Sequence, residues 1–261
     1  MSERSGAKEM PFLDHLEELR WRLLWSIGAL IVGTIVGFVA VGSLDLLNAL
    51  SVPIQPYLTN ERLGYFRPSD PFTIHLKLSM SVGVVLASPV LLYQAWSFVA
   101  PALYPHEKRV GMMALAGGLV LFCLGVALAY FFVLPASLKF FDMFAGDSLQ
   151  PMITAPDYFS LVVSLALVFG AAFELPILIV ALTALGLVTP TFLRRFRRHA
   201  FVMCVVGSAL ITPGDVITAT IALMFPLYGL YELGIILSGA VHRWRERRDA
   251  IGDANEAQAS A

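Results

Sequence analysis

The chain has 261 residues, 57% of them hydrophobic and 14% charged, with a mean hydropathy of +0.74. Those values exclude an ordinary soluble domain, and unbroken apolar stretches recur at the ~20-residue length that crosses a hydrocarbon core about 30 Å thick. The formal net charge of −1 conceals where the basic residues lie, and the class is an all-α, polytopic membrane protein.

Residues 1–10 read as a flexible polar tail, too short and polar for a cleavable leader. From Pro11 a helix is expected, with Leu16, Leu19 and Leu23 on one face and Asp14, Glu17 and Glu18 largely off it. That is the pattern of an amphipathic helix lying on a membrane before it enters. A first span follows from about Leu23 to Ser43, where Gly28, Gly33 and Gly37 permit close helix contact. Residues 44–72 contain Pro53, Pro56, Pro68 and Pro71 and are expected to form an external loop, with a short helix near Leu44 to Leu50. A second span covers Phe72 to Val99, longer than the bilayer requires, with Pro89 as a kink site.

The sequence LLYQAWSFVAPALYPHEKR at 91–109 ends that span in a compact charged turn. Tyr93, Trp96 and Tyr104 have the amphipathic rings that settle at headgroup depth, and Pro101 and Pro105 stop the helix. Glu107 is thereby held on a proline-stiffened loop at the membrane surface. A third span is expected at Val110 to Val133, a second external loop at Leu134 to Pro156, and a fourth span at Tyr158 to Gly186 containing Glu174 and Pro176. Residues 187–199 form a basic loop. The last apolar block, Ala200 to Val241, is cut by Thr-Pro-Gly-Asp at 212–215 into a hairpin with a short first arm, and residues 241–261 are a basic and polar tail.

Charge decides the number of crossings. Arg4, Lys8, Arg20 and Arg22, then Lys108 and Arg109, then Arg194, Arg195, Arg197 and Arg198, then Arg243, Arg245, Arg247 and Arg248 all fall on one side if there are six spans. The opposite loops hold Arg62, Arg67 and Lys139. Six spans with both termini cytosolic is the expectation, and the short fifth helix then implies local thinning or an incomplete crossing. Cys123 and Cys204 lie in apolar segments and read as small hydrophobes rather than a disulfide or metal site.

HLEELRWRL at 15–23, SPVLLYQAWSFVAPALYPHEKR at 88–109, FGAAFELPI at 169–177 and ITPGDV at 211–216 resemble the TatC family. The similarity runs from about Pro11 to Leu237, with the segments in the same order, so residues 11–240 form one TatC-like domain. The resemblance implies a cup-shaped, six-helix protein of the bacterial plasma membrane, with short fifth and sixth helices. It implies a receptor for the twin-arginine signal peptides of folded precursors, assembled with single-span TatA- and TatB-like subunits and with further copies of itself in lipid. It also implies transport driven by the protonmotive force, with no catalysis, cofactor or nucleic acid expected.

Two adjacent guanidiniums call for carboxylates, which Arg pairs in a planar geometry that Lys cannot copy. Glu18 and Glu107 match the family's signal-binding acids, and Arg20, Gln94 and Phe98 match positions lining the same face. A plainer reading stands beside this one: Glu18 and Arg22 are spaced i, i+4 for an intrahelical pair, and Glu107 can serve Lys108 or Arg109. Glu174 is an acid within a span, which usually faces the bundle interior, a cavity or a partner; alternatively it bonds a carbonyl freed near Pro176. The resemblance assigns Glu174 and Asp215 to function and Pro53 to transport, although Asp215 can also cap the sixth helix and Pro53 can be a loop breaker. Thr212 and Thr220, with Thr218, give the final hairpin a polar edge where a neighbouring helix can bind. The rival class is a solute or ion transporter with Glu174 as its coupling carboxylate, against which stand the lack of an internal repeat and Glu174 being the single strongly buried acid.

Overall fold

The computed structural model describes residues 12–58, 63–99, 108–145, 152–211 and 218–259. Its helices are α1 (Phe12–Ser43), α2 (Leu46–Ser51), α3 (Asp70–Val99), α4 (Lys108–Leu128), α5 (Leu134–Ala145), α6 (Ala155–Phe173), α7 (Leu175–Ala184), α8 (Pro190–Arg195), α9 (Arg197–Ile211) and α10 (Thr218–Ala259). A 3-10 turn, Val52–Tyr57, prolongs α2, and a π-helical stretch, Ala129–Val133, joins α4 to α5. Among the described residues there is no strand, only a single bridge between Gly64 and Thr154 where Ala155 N–H donates to the Gly64 carbonyl at 2.7 Å.

Five segments are long and apolar enough to cross a membrane: Leu16–Ser43, Asp70–Phe98, Leu115–Met143, Ala155–Ala184 and Met224–Arg243. The sixth is α9, whose 15 residues make only ~22 Å of helix, the short fifth arm expected from the sequence. α10 does not stop at the basic stretch but continues through it to Ala259. The third span also runs further than its apolar pattern indicates. Leu134 to Ala145, expected as loop, is helix α5. The reason is the π-helical turn Ala129–Val133 just before Pro135: Leu134 N–H reaches back to the Ala129 carbonyl, the widened turn carries the helix past the proline, and Leu134 and Leu138 are buried on its inner face.

Two proline sites explain how the long spans stay intact or break. Pro89 cannot donate to the carbonyl of Val85, and the hydroxyl of Ser88 donates to that oxygen instead at 2.7 Å, so α3 passes through without interruption. Pro176 cannot donate to the carbonyl of Ala172, which Glu174 N–H reaches from the helix end instead, and the fourth span divides at Glu174 into α6 and α7.

The packing centre lies around α6. Tyr158, Leu165 and Phe169 are buried there together with Val41 of α1, Leu78 of α3 and Leu134 of α5. A second cluster of Ile179, Leu193 and Ile235 ties α7 and α8 to α10. Large apolar side chains such as Ile31, Ile35 and Val39 are left on the outside of α1, the arrangement of a helix solvated by lipid. α7 ends in a Schellman cap: Leu187 N–H donates to Leu182 O and Gly186 N–H to Thr183 O, both at 3.0 Å, with Gly186 at φ 75°.

Candidate functional site

α1 and α3 form an antiparallel pair whose backbones nearly touch. A Cβ on Gly33 would lie 2.5 Å from the carbonyl oxygen of Gly83, one on Gly83 would lie 2.6 Å from the nitrogen of Thr34, and Gly37 meets the Ser79 carbonyl. His75 Nε2 lies 3.1 Å from the Phe38 carbonyl further along the same seam. Gly28, expected to share this contact, meets nothing within 4 Å, because five residues rather than four separate it from Gly33 and turn it about 140° off the seam.

This register has a functional consequence. Four residues along α1 from Gly33 to Gly37 match four along α3 from Gly83 back to Ser79. Carried fifteen residues in the other direction, it sets Glu18 level with Phe98, and Arg22 level with Gln94. Residues about eighty positions apart in the chain are thus gathered at one end of the bundle. Glu18, Gln94 and Phe98 are half-buried, and Arg20 is exposed. The intrahelical pair is formed: Arg22 Nε donates to Glu18 Oε1 at 3.0 Å, and Nη2 also bonds that oxygen. Glu107, Thr212 and Asp215 lie outside the described residues; α4 begins at Lys108, the residue after Glu107.

Gln94 and Phe98 are not the only useful face of this part of α3. Leu92 and Trp96, about 200° around the helix from them, line a cavity of about 220 Å³ shared with Leu115, Gly118, Glu174 and Ile177. Glu174 reaches it from the junction of α6 and α7. Its Oε1 is buried without a hydrogen-bond partner among the described residues, so bonding to a carbonyl freed by Pro176 is not found. A Cβ on Gly118 would stand 2.9 Å from Oε2, so the bare backbone of α4 makes the room this carboxyl occupies.

At the other end of the α1/α3 pair, Pro53 stands at the start of the 3-10 turn. It lacks the N–H that would continue α2 by donating to Ala49 O. The hydroxyl of Tyr130 donates to that carbonyl at 2.8 Å, and Tyr158 donates to Leu50 O at 2.6 Å. Two tyrosines from different spans therefore close the end that Pro53 opens. Thr220 is buried in the first turn of α10, remote in sequence from these groups.

Several polar pairs have no counterpart in the motif reading. Glu232, within the apolar part of α10, accepts from Arg197 Nη2 at 2.6 Å and from Tyr228 at 2.9 Å, so Glu174 is not the only acid inside a span. Thr183 and Ser238 hydroxyls meet at 2.7 Å between α7 and α10. Lys77 Nζ donates to Ser160 Oγ at 2.9 Å between α3 and α6. The available signal for Glu232 and Lys77 was an ionisable residue inside an apolar run.

Residues 14–226 match the family model for the Sec-independent protein translocase protein (TatC). The TatC protein of Aquifex aeolicus (strain VF5) is 39% identical over 230 residues, covering 87% of this chain and 94% of that protein. The TatC protein of Escherichia coli (strain K12) is 37% identical over 229 residues, covering 87% and 88%. A crystal structure of the twin arginine translocase receptor TatC superposes with a TM-score of 0.76 at 38% identity, over 87% of this chain and 99% of that one. With this helical architecture and near full-length similarity, the chain belongs to the TatC family, a non-enzymatic, multi-pass membrane component of the Sec-independent twin-arginine protein translocase.

Proposed function

We propose that this chain is the receptor for twin-arginine signal peptides, with Glu18 and Glu107 as the guanidinium partners and Arg20, Gln94 and Phe98 lining the same cytosolic surface. The observation that carries this reading is the α1/α3 register, which brings Glu18 and Phe98 to one level at the end of the bundle nearest Lys108. The internal pair is a weak competitor: an i, i+4 ion pair contributes ~0.3–0.5 kcal/mol. An incoming arginine therefore displaces or shares the Arg22 contact at small cost.

The same reading sets both termini and the Arg194 to Arg198 cluster on the cytosolic side of a bacterial plasma membrane. Glu174, Thr212, Asp215 and Thr220 then face single-span TatA- and TatB-like partners and neighbouring copies of the chain. Glu174 is suited to this because its buried oxygen needs a donor that the described residues do not supply. Pro53 acts in transport through the shape of the external turn, and the protonmotive force drives the cycle.

Binding of a signal peptide with Arg-Arg, and of its Lys-Lys version, to the purified full chain tests the assignment. The Arg-Arg peptide is expected to bind about tenfold more tightly, and Glu18→Gln or Glu107→Gln to remove most of that margin. Equal binding of the two peptides would end the receptor reading of these acids.

A further inference from the structure

Lys77 is a cation inside an apolar span. The Asp70–Phe98 segment has 29 residues, or ~43 Å against a hydrocarbon core of ~30 Å. Centred in the bilayer, it leaves ~6 Å beyond each face, and the Lys77 Cα, ~10 Å from the Asp70 end, sits ~4 Å inside the boundary. A lysine stem spans that distance and delivers its ammonium at the level of the lipid glycerol and phosphate.

The surroundings match such a contact. Lys77, Ser160 and Ser164 line a trough of about 300 Å³ between α3 and α6, at the end of the bundle away from Glu18. Ser81 and Val163 are shared with an adjoining cavity of about 400 Å³ that runs toward Cys123 and Tyr130 and is lined almost wholly by apolar side chains. A charged, hydroxyl-bearing trough and an apolar cavity thus adjoin at Ser81 and Val163.

We propose that this trough seats one anionic glycerophospholipid: Lys77 and the hydroxyls of Ser160 and Ser164 hold the phosphate, and one acyl chain lies in the cavity beside Cys123. The net negative headgroup is selected because Lys77 brings one positive charge to a mouth whose other polar groups are neutral hydroxyls. The site is separate from the Glu18 and Glu174 surfaces and does not depend on the receptor reading.

The test uses the full chain carrying Cys204→Ser, so that a thiol reagent reports on Cys123 alone. Native mass spectrometry with phosphatidylglycerol and phosphatidylcholine of matched acyl chains should give about fivefold preferential retention of the former, as expected for ~1 kcal/mol per basic residue. Phosphatidylglycerol should also slow N-ethylmaleimide modification of Cys123 severalfold, a readout that lipid bound at the arginine clusters does not move. Lys77→Gln should abolish both effects, Lys77→Arg should keep them, and Val163→Trp should remove Cys123 protection with either lipid. Equal retention of the two lipids, unchanged Cys123 reactivity, or full protection in a folded Lys77→Gln protein would each overturn the proposal.

Discussion

Gly118 stands directly against Glu174, with the carboxyl oxygen Oε2 where a side chain on residue 118 would begin. The close atom is the far end of a flexible side chain rather than backbone, so Gly118→Ala should leave stability nearly unchanged while forcing the carboxyl into another rotamer. Export of a twin-arginine reporter should then fall toward the level of Glu174→Ala, with the thermal midpoint within about 2 °C of wild type. Normal export in Gly118→Ala would mean that the position of this acid does not matter.

The α1/α3 seam behaves differently because the atoms in contact are backbone. Gly83→Ala must push α1 and α3 apart, at ~1–3 kcal/mol, and disturb the register that sets Glu18 level with Phe98. Both thermal stability and signal-peptide binding should drop. Gly28→Ala on α1 faces open space within 4 Å and should be neutral or slightly stabilising. Equal effects at the two positions would refute the register.

Tyr130→Phe removes the donor to the Ala49 carbonyl and should cost ~1 kcal/mol. Pro53→Ala restores an N–H able to reach that oxygen, so the tyrosine substitution should cost less in the Pro53→Ala background. A double-mutant cycle followed by thermal unfolding measures the coupling; strict additivity would show that Tyr130 does not serve the carbonyl that Pro53 leaves open.

Arg22 holds Glu18 from within its own helix. Arg22→Ala removes a competitor worth ~0.3–0.5 kcal/mol, and should tighten binding of an Arg-Arg signal peptide about twofold at low salt, with the gain fading as salt rises. Weaker binding would instead identify Arg22 as a support that orients the carboxylate. Isothermal titration at two salt concentrations separates these outcomes.

Local chemistry makes much of this protein legible without coordinates. Apolar runs of spanning length, proline-rich interruptions and one-sided basic clusters specify a six-crossing helical protein with a short fifth arm, because each signal acts within a turn or a loop. Two local readings failed for local reasons: Pro135 looks like a helix breaker but follows a π-helical turn that carries the helix past it, and Gly28 stands five residues from Gly33, off the face that Gly33 and Gly37 share.

Tertiary structure decided what depends on partners distant in the chain. The α1/α3 register, the room Gly118 makes for Glu174, the tyrosines that close α2, and the Lys77–Ser160 contact join residues from about 40 to more than 100 positions apart. A helical period tells which face a residue occupies but not what stands opposite. That is fixed only when backbones pack to contact and every buried carbonyl, hydroxyl and charge has to find its place among the neighbours this packing supplies.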